Sequence, residues 1–122
     1  MKFYICKHCG NLVTMLKDSG VVPNCCGEAM TELIPGTTDA ATEKHVPVFE
    51  TQGNSVKVKV GSVEHPMAAE HYIQWIAIET TNGCQVKHLK PGEKPEAEFL
   101  LAQGESLVAT YEYCNLHGLW KA

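Results

Sequence analysis

The sequence predicts a mainly β protein in two parts: a small metal-stapled module, followed by an antiparallel, immunoglobulin-like β-sandwich. About the first 35 residues are rich in Cys and Gly. Pro35-Gly36 and a polar run up to Thr42 then interrupt the pattern, as a linker would. Beyond the linker, short apolar segments alternate with turn dipeptides, which is typical of β-sandwiches.

The N-terminal module, which we place at residues 1–36, contains two short apolar runs, at residues 3–5 and 12–16. Modules of fewer than about 40 residues rarely fold on a hydrophobic core alone. A metal ion bound by the cysteines would supply the cross-link that a module of this size needs in order to fold. The second domain is then residues 37–122.

The second domain is predicted to be a series of short strands. Val56, Val58 and Val60 alternate with polar residues, which predicts a half-buried strand over residues 55–60. Residues 72–79 are apolar on both faces except at Gln74, which predicts a buried strand. Further strands are predicted at residues 48–51, 85–89, 96–101 and 107–114. The turns between strands are predicted at residues 53–54, 82–83, 91–92 and 103–104.

Composition excludes several classes of protein. The chain has 10 basic and 14 acidic residues, a net charge of −4 and no basic cluster, so no nucleic-acid partner is expected. Apolar stretches such as residues 75–78 are far shorter than the roughly 20 residues that span a bilayer. The first five residues lead straight to a Cys-x-x-Cys motif without an apolar signal core, which favours a cytoplasmic location. In a reducing compartment, grouped cysteines indicate metal sites rather than disulfides.

Four of the six cysteines form a first cluster. Cys6 and Cys9 form a Cys-x-x-Cys motif, and the adjacent pair Cys25-Cys26 follows. Four thiolates can surround Zn or Fe as a tetrahedron. Neighbouring residues of an extended chain point in opposite directions, so the backbone at Cys25-Cys26 must be distorted for both sulfurs to reach one metal. A structural zinc ribbon remains an alternative for this cluster.

A second cluster combines four imidazoles with one thiol. Its members are His45, His65, His71, Cys114 and His117. They converge only if the β fold brings distant segments together, which a Greek-key sandwich can do, with the ligands on loops at one end. Glu43 and Lys44 directly precede the first histidine. His8, Cys84 and His88 receive no role.

In combination, these motifs resemble desulfoferrodoxin, the two-iron superoxide reductase family. The motifs are Cys6-x-x-Cys9, Cys25-Cys26, Glu43-Lys44-His45, His65-Pro66-Met67, His71-Tyr72-Ile73 and Cys114-Asn115-Leu116-His117-Gly118-Leu119-Trp120. The resemblance covers nearly the whole chain. It implies a one-electron reduction of superoxide to hydrogen peroxide without release of dioxygen.

The resemblance also implies two iron ions as cofactors. The N-terminal module resembles desulforedoxin, with a rubredoxin-type iron held as a tetrahedral centre by its four cysteines. The second domain resembles neelaredoxin, with iron in a square-pyramidal centre: the four histidines in a plane, Cys114 axial and the sixth position open. Glu43 resembles the family carboxylate that occupies the open position of the resting ferric site. Lys44 resembles the lysine that guides superoxide and helps to deliver protons. A rubredoxin-like electron donor and a homodimer are implied as partners.

Other functions compete with this interpretation. The main alternative is an iron or copper electron-transfer protein without catalysis of its own. Cys114-x-x-His117 resembles a blue-copper arrangement, although no Met follows His117 and three further histidines are present. A double-zinc β protein used for partner contact is a non-enzymatic alternative. A dismutase is an enzymatic one, and it would release dioxygen without needing a donor.

Overall fold

The computed structural model describes all residues, 1–122. The chain divides into two compact units, Met1–Ile34 and Pro35–Ala122. The division into functional domains at residues 1–36 and 37–122 stays a prediction. The mainly β, antiparallel fold class predicted from the sequence is confirmed.

The first unit is built from five short strands. They are β1 (Phe3–Ile5), β2 (Leu12–Thr14), β3 (Asn24–Cys25), β4 (Glu28–Ala29) and β5 (Thr31–Leu33). One antiparallel sheet has the order β2-β1-β5, and β3 pairs with β4 in a separate hairpin. Its hydrophobic cluster has three buried members, Tyr4, Cys6 and Met30. Such a core is too small to stabilise the unit without a further cross-link, as the length of the module predicted.

The second unit contains one helical turn and seven strands. They are α1 (Thr42–His45), β6 (Pro47–Gln52), β7 (Ser55–Val60), β8 (Ile73–Thr80), β9 (Gly83–His88), β10 (Glu96–Leu100), β11 (Leu107–Cys114) and β12 (Gly118–Lys121). The strands form a three-stranded sheet, β10-β7-β6, and a four-stranded sheet, β12-β11-β8-β9.

The core of the second unit contains inward side chains from both sheets. Val56, Val58 and Val60 of β7 are at most 1% exposed, which agrees with their strict alternation in the sequence. They belong to one hydrophobic cluster with Ile76 and Ile78 of β8. Strand β8 is buried over most of its length, as its apolar composition predicted. The two sheets are therefore packed against each other through one core.

All six strands predicted in the second domain are present, with ends shifted by at most two residues. Strand β12 and helix α1 were not predicted, because each is only four residues long and shows no full period of alternating or helical pattern. Helix α1 begins at Thr42, the last residue of the expected linker, and covers the Glu43-Lys44-His45 motif, for which no secondary structure was predicted. No helix has the length or apolar character needed to cross a bilayer.

Candidate metal centres

The structure brings together both sets of predicted ligands. The tetrathiolate group is Cys6, Cys9, Cys25 and Cys26, and the histidine–cysteine group is His45, His65, His71, Cys114 and His117. In each group the candidate ligand atoms lie within 4.8 Å of one another. Each group lies within a single unit of the chain.

Turn geometry positions the sulfurs of the tetrathiolate group. The backbone N–H groups of Cys9 and Gly10 donate to the sulfur and the carbonyl of Cys6, which closes the Cys-x-x-Cys turn. This bond from Cys9 holds the pKa of the Cys6 thiol down, at about 6. Cys26 has φ +52° and Gly27 has φ +78°. The predicted distortion at the adjacent cysteines is therefore present, as a left-handed bend in the backbone.

The sulfur spacing of the tetrathiolate group fits a tetrahedral ion. The Sγ of Cys25 lies 3.6 Å from the Sγ of Cys9 and 4.0 Å from the Sγ of Cys26. All six cysteines of the chain are free thiols. A regular tetrahedron with such edges has its centre about 2.3 Å from each corner, the usual metal–thiolate bond length. The arrangement can therefore hold one Zn or Fe ion.

The four rings of the histidine–cysteine group stand at the corners of a square. The ring of His45 lies 4.7 Å from that of His65 and 4.8 Å from that of His117, centroid to centroid. His71 completes the square, at 4.7 Å from His65 and 5.0 Å from His117. Neighbouring rings are nearly perpendicular, at 78–85°, whereas the diagonal pair His45 and His71 is 6.5 Å apart. Cys114 is the fifth member, with its sulfur 3.8 Å from Nδ1 of His117.

Backbone carbonyls fix the protonation of two rings. Nδ1 of His45 lies 2.8 Å from the carbonyl oxygen of Ala41, and Nδ1 of His65 lies 2.6 Å from that of Pro66. A carbonyl only accepts hydrogen bonds, so both Nδ1 atoms carry the proton and both Nε2 atoms present a lone pair. Burial lowers the pKa of His65 to about 4 and also lowers that of His45, so the rings are neutral at neutral pH.

The converging lone pairs of these rings fit a metal ion. Nε2 of His45 lies 3.2 Å from Nε2 of His65 and 3.0 Å from Nδ1 of His117. Nε2 of His71 is buried without a hydrogen-bond partner. Two bare nitrogens at such a distance repel each other unless a cation lies between them. A square with these edges has its centre about 2.2 Å from each nitrogen, close to a metal–imidazole bond length.

The segments that carry these ligands are tied to one another by residues that sequence reasoning left without a role. Asn115 accepts a hydrogen bond from the Tyr72 backbone at 2.9 Å and donates to the Glu70 carbonyl at 3.0 Å. Trp120 stacks on His45 at 4.9 Å and donates from Nε1 to the His117 carbonyl at 3.0 Å. In the sequence, the only indication that Asn115 and Trp120 matter to the site was that both lie within the C-terminal motif, residues 114–120.

A buried carboxyl group, Glu112, was also missed. It lies two residues before Cys114 on β11, and both of its oxygens are buried without a hydrogen-bond partner. Burial raises the pKa of Glu112 to about 9, so the group is neutral at neutral pH. Burial also raises the pKa of the Cys114 thiol. A bound cation would oppose this effect and favour the thiolate.

Glu43 and Lys44 lie on α1 and are exposed. Lys44 is close enough to the ring square for its charge to contribute to the lowered pKa values of His45 and His71, for which burial is the main cause. Lys44 and His65 also line one open cavity of about 490 Å³. The remaining unassigned residues lie elsewhere: His8 pairs with Glu28 at 3.0 Å, and Cys84 is exposed on β9.

Comparison with known proteins identifies the family. The family model described as desulfoferrodoxin matches residues 37–122. This chain belongs to the desulfoferrodoxin family. The desulfoferrodoxin of Nitratidesulfovibrio vulgaris is 50% identical over 121 residues, which cover 99% of this chain and 94% of that protein. The desulfoferrodoxin of Desulfarculus baarsii is 46% identical and covers 100% of this chain and 95% of its own length.

Solved structures of the family extend the comparison to three dimensions. The crystal structure of the superoxide reductase from Treponema pallidum has a TM-score of 0.83 and 42% identity, and the match covers 98% of each chain. The superoxide reductase from Giardia intestinalis, described as a one-iron form, has a TM-score of 0.55 and 35% identity. It covers 66% of this chain and 95% of its own. The relatives therefore include full-length and shorter forms of the same family.

Proposed function

We propose that this chain is a superoxide reductase. The reaction is superoxide + one electron + two protons → hydrogen peroxide, without release of dioxygen. The observation that carries this proposal is the square of imidazole rings with the Cys114 sulfur beside it. The family relationship supports the same activity, since several relatives bear the name superoxide reductase.

The cofactors are two iron ions, one for each ligand group. In the histidine–cysteine group, His45, His65, His71 and His117 would hold iron through ring nitrogens and Cys114 through its thiolate. When bound, ferrous iron would supply one electron, and the Cys114 thiolate would donate electron density to it. Four neutral imidazoles leave this site with a net charge of +1 in the ferrous state, which attracts an anion although the whole chain carries −4.

Lys44 and Glu43 are the proposed catalytic residues. The Lys44 ammonium adds a local positive charge beside the rings, so it attracts superoxide and supplies protons through solvent. The Glu43 carboxylate would occupy the open coordination position of the resting oxidised site. Both residues lie on the same helical turn as His45, a member of the ligand square.

The tetrathiolate group has a different role in this proposal. Residues 1–36 form a module in which Cys6, Cys9, Cys25 and Cys26 hold the second iron. Four thiolates around a ferric ion carry a net charge of −1, so this site repels superoxide and serves as a staple or an electron relay. The electron comes from an external donor of the rubredoxin type. Two copies of the chain form a homodimer in the cytoplasm, where free thiolate ligands persist.

Product analysis tests the proposed function. The iron-loaded chain is mixed with superoxide and a one-electron donor, and peroxide and dioxygen are both measured. We expect one peroxide for each superoxide consumed and no dioxygen from superoxide. A dismutase would instead yield one dioxygen for every peroxide. An electron-transfer protein without catalysis would leave the rate of superoxide decay unchanged, although five converging ligands do not favour that alternative.

A further inference from the structure

Helix α1 carries Glu43, Lys44 and His45 on a single turn of four residues. A helix of this length is not stable by itself, since isolated helices need about 12–15 residues. Its N-cap residue, Ala41, makes no side-chain cap hydrogen bond. The position of Lys44 must therefore be set by contacts from another part of the fold.

The turn at residues 61–64, which joins β7 to the ligand His65, supplies those contacts. The backbone N–H of Val63 donates to the Glu43 carbonyl oxygen at 2.9 Å, and the Ser62 hydroxyl donates to the same oxygen at 3.2 Å. The N–H of His65 donates to the Val60 carbonyl at 3.0 Å and closes the turn. One short turn thus bonds to α1 and also leads directly into a second ligand.

Gly61 allows this close approach. A Cβ atom at this position would lie 2.7 Å from the Glu43 carbonyl oxygen, and 3.0 Å from both the Lys44 carbonyl carbon and the Val46 carbonyl oxygen. All three neighbours are backbone atoms, so none can rotate away as a flexible side chain could. Any side chain at Gly61 must therefore displace α1, the turn or both.

We propose that the 61–64 turn is a positioning element for superoxide capture. Gly61 admits the α1 backbone, and Ser62 and Val63 hold the Glu43 carbonyl, so the Lys44 ammonium stays beside the ring square. This inference rests on the proposed function, because it concerns how Lys44 attracts the substrate. It goes further by assigning a role to residues that are neither metal ligands nor catalytic groups.

Gly61→Ala tests the steric part of the proposal in the iron-loaded full-length chain. We expect a lower second-order rate constant with superoxide at low ionic strength and a weaker dependence of that rate on salt, because the displaced ammonium no longer focuses the anion. Amide hydrogen exchange at Val63 and Val46 should be about tenfold faster, the factor expected for mild overpacking. Gly83→Ala is the matched control, since a Cβ at Gly83 meets nothing within 4 Å.

Ser62→Ala and Ser62→Thr test the hydrogen-bonding part and remain informative if the Gly61 variant fails to fold. Loss of one hydrogen bond of typical strength should speed exchange at Val63 about fivefold. Ser62→Thr keeps the hydroxyl, so its exchange rate at Val63 and the salt dependence of its reaction with superoxide should both match the wild type. The proposal is overturned if Gly61→Ala or Ser62→Ala shows both the amide exchange rates of the wild type and the same salt dependence of the reaction with superoxide.

The two proposals fail in distinguishable ways. If the wild-type protein does not convert superoxide to peroxide, the proposed function fails, while the exchange measurements still report whether the turn holds α1. If the wild type is active and the variants of the turn match it in rate, salt dependence and exchange, only the positioning role fails.

Discussion

At the scale of single residues, the proposed role of Lys44 leads to a direct kinetic prediction. The chain as a whole is negative, at −4, and superoxide is an anion. Attraction must therefore come from a local field, which salt screens over about 10 Å at 0.1 M ionic strength. Lys44 lies at the cavity that is also lined by the ligand His65.

Lys44→Ala should slow the reaction of the reduced protein with superoxide by on the order of tenfold at low ionic strength. The difference from wild type should shrink as salt is added. Pulse radiolysis or stopped flow over a range of ionic strengths measures both effects. Lys59→Ala, which removes the same charge from the exposed face of β7, is the control and should stay near the wild-type rate. Equal rates for Lys44→Ala and wild type at low salt would remove the steering role.

Some properties of single residues were beyond prediction from the sequence. The identities of the five candidate ligands were predicted from residue type and motif, but the choice of ring nitrogen could not be. His45 and His65 present Nε2 because backbone carbonyls bind their Nδ1 atoms, whereas His117 directs Nδ1 toward its neighbours. That choice depends on side-chain rotamers and on backbone carbonyls placed by the folded loops.

At the scale of elements, the loop after β11 and the segment before β8 are joined through one side chain. Asn115 uses both ends of its amide, one toward the Tyr72 backbone and the other toward the Glu70 carbonyl. Cys114 is the last residue of β11, the loop carries His117, and the segment carries His71. The amide therefore holds ligands from two separate parts of the chain at a fixed spacing.

Asn115→Ala should lower the free energy of unfolding by about 1–2 kcal/mol, because the partly buried N–H of Tyr72 loses its partner and the exposed Glu70 carbonyl loses a hydrogen bond. Iron should also be lost faster to a chelator, since the ligands on the two segments move apart. Denaturant titration and the rate of iron release measure the two effects. Asn82→Ala, in the exposed turn between β8 and β9, should change neither quantity. Wild-type iron retention in Asn115→Ala would show that the amide has no part in holding the site.

The turn before β11 gives a second prediction at this scale, one of pH dependence. Glu105 accepts hydrogen bonds from the Thr80 hydroxyl and from the Ala102 backbone, and these bonds lower the pKa of its carboxyl group below 4.5. A lowered pKa in the folded state means that the ionised carboxylate stabilises the fold above about pH 4.5. This contribution is lost as the pH falls through the folded-state pKa.

Glu105→Gln should therefore be less stable than wild type at pH 7, and the difference should diminish below about pH 4.5. Urea denaturation between about pH 7 and pH 3.5 measures this difference. Glu50→Gln, on the exposed strand β6, removes the same charge and should show no such trend. A stability difference that persists unchanged at the acid end would contradict the assigned role of the carboxylate.

Elements differed in how well the sequence predicted them. Strand β7 was predicted to the residue, because its valines alternate strictly and its ends coincide with turn residues. Helix α1 and strand β12 were not predicted, since tertiary contacts rather than local pattern create them: the 61–64 turn fixes α1, and pairing with β11 creates β12. Glu112 was missed because a glutamate in a strand is ordinarily solvent-exposed.

At the scale of the whole molecule, the two metal groups belong to separate compact units. The first unit has few buried residues, so it depends on its tetrathiolate group. The second unit has a core between two sheets and does not need metal for its basic fold. The two sites should therefore respond independently to substitution.

Cys9→Ser should loosen the first unit while leaving the reaction of the pre-reduced second site with superoxide unchanged. Hydrogen exchange in β1 and β2 should increase, because the tetrahedral ion loses a ligand. Pulse radiolysis reports the second site directly. Cys84→Ser, at an exposed cysteine outside both groups, is the control. Collapse of donor-driven turnover in Cys9→Ser, with the pre-reduced reaction intact, would identify the tetrathiolate site as an electron relay.

The ring square also has a consequence for how the second unit holds together. Its donors come from positions as far apart as 45 and 117, which are separated by 72 residues, yet the ring nitrogens meet at 3.0 Å. An ion at the centre closes a loop around most of the unit, much as a disulfide would, and restricts the unfolded chain. Because ferrous iron would then bind the folded state and not the unfolded chain, the melting temperature of this unit should rise with the concentration of free ferrous iron.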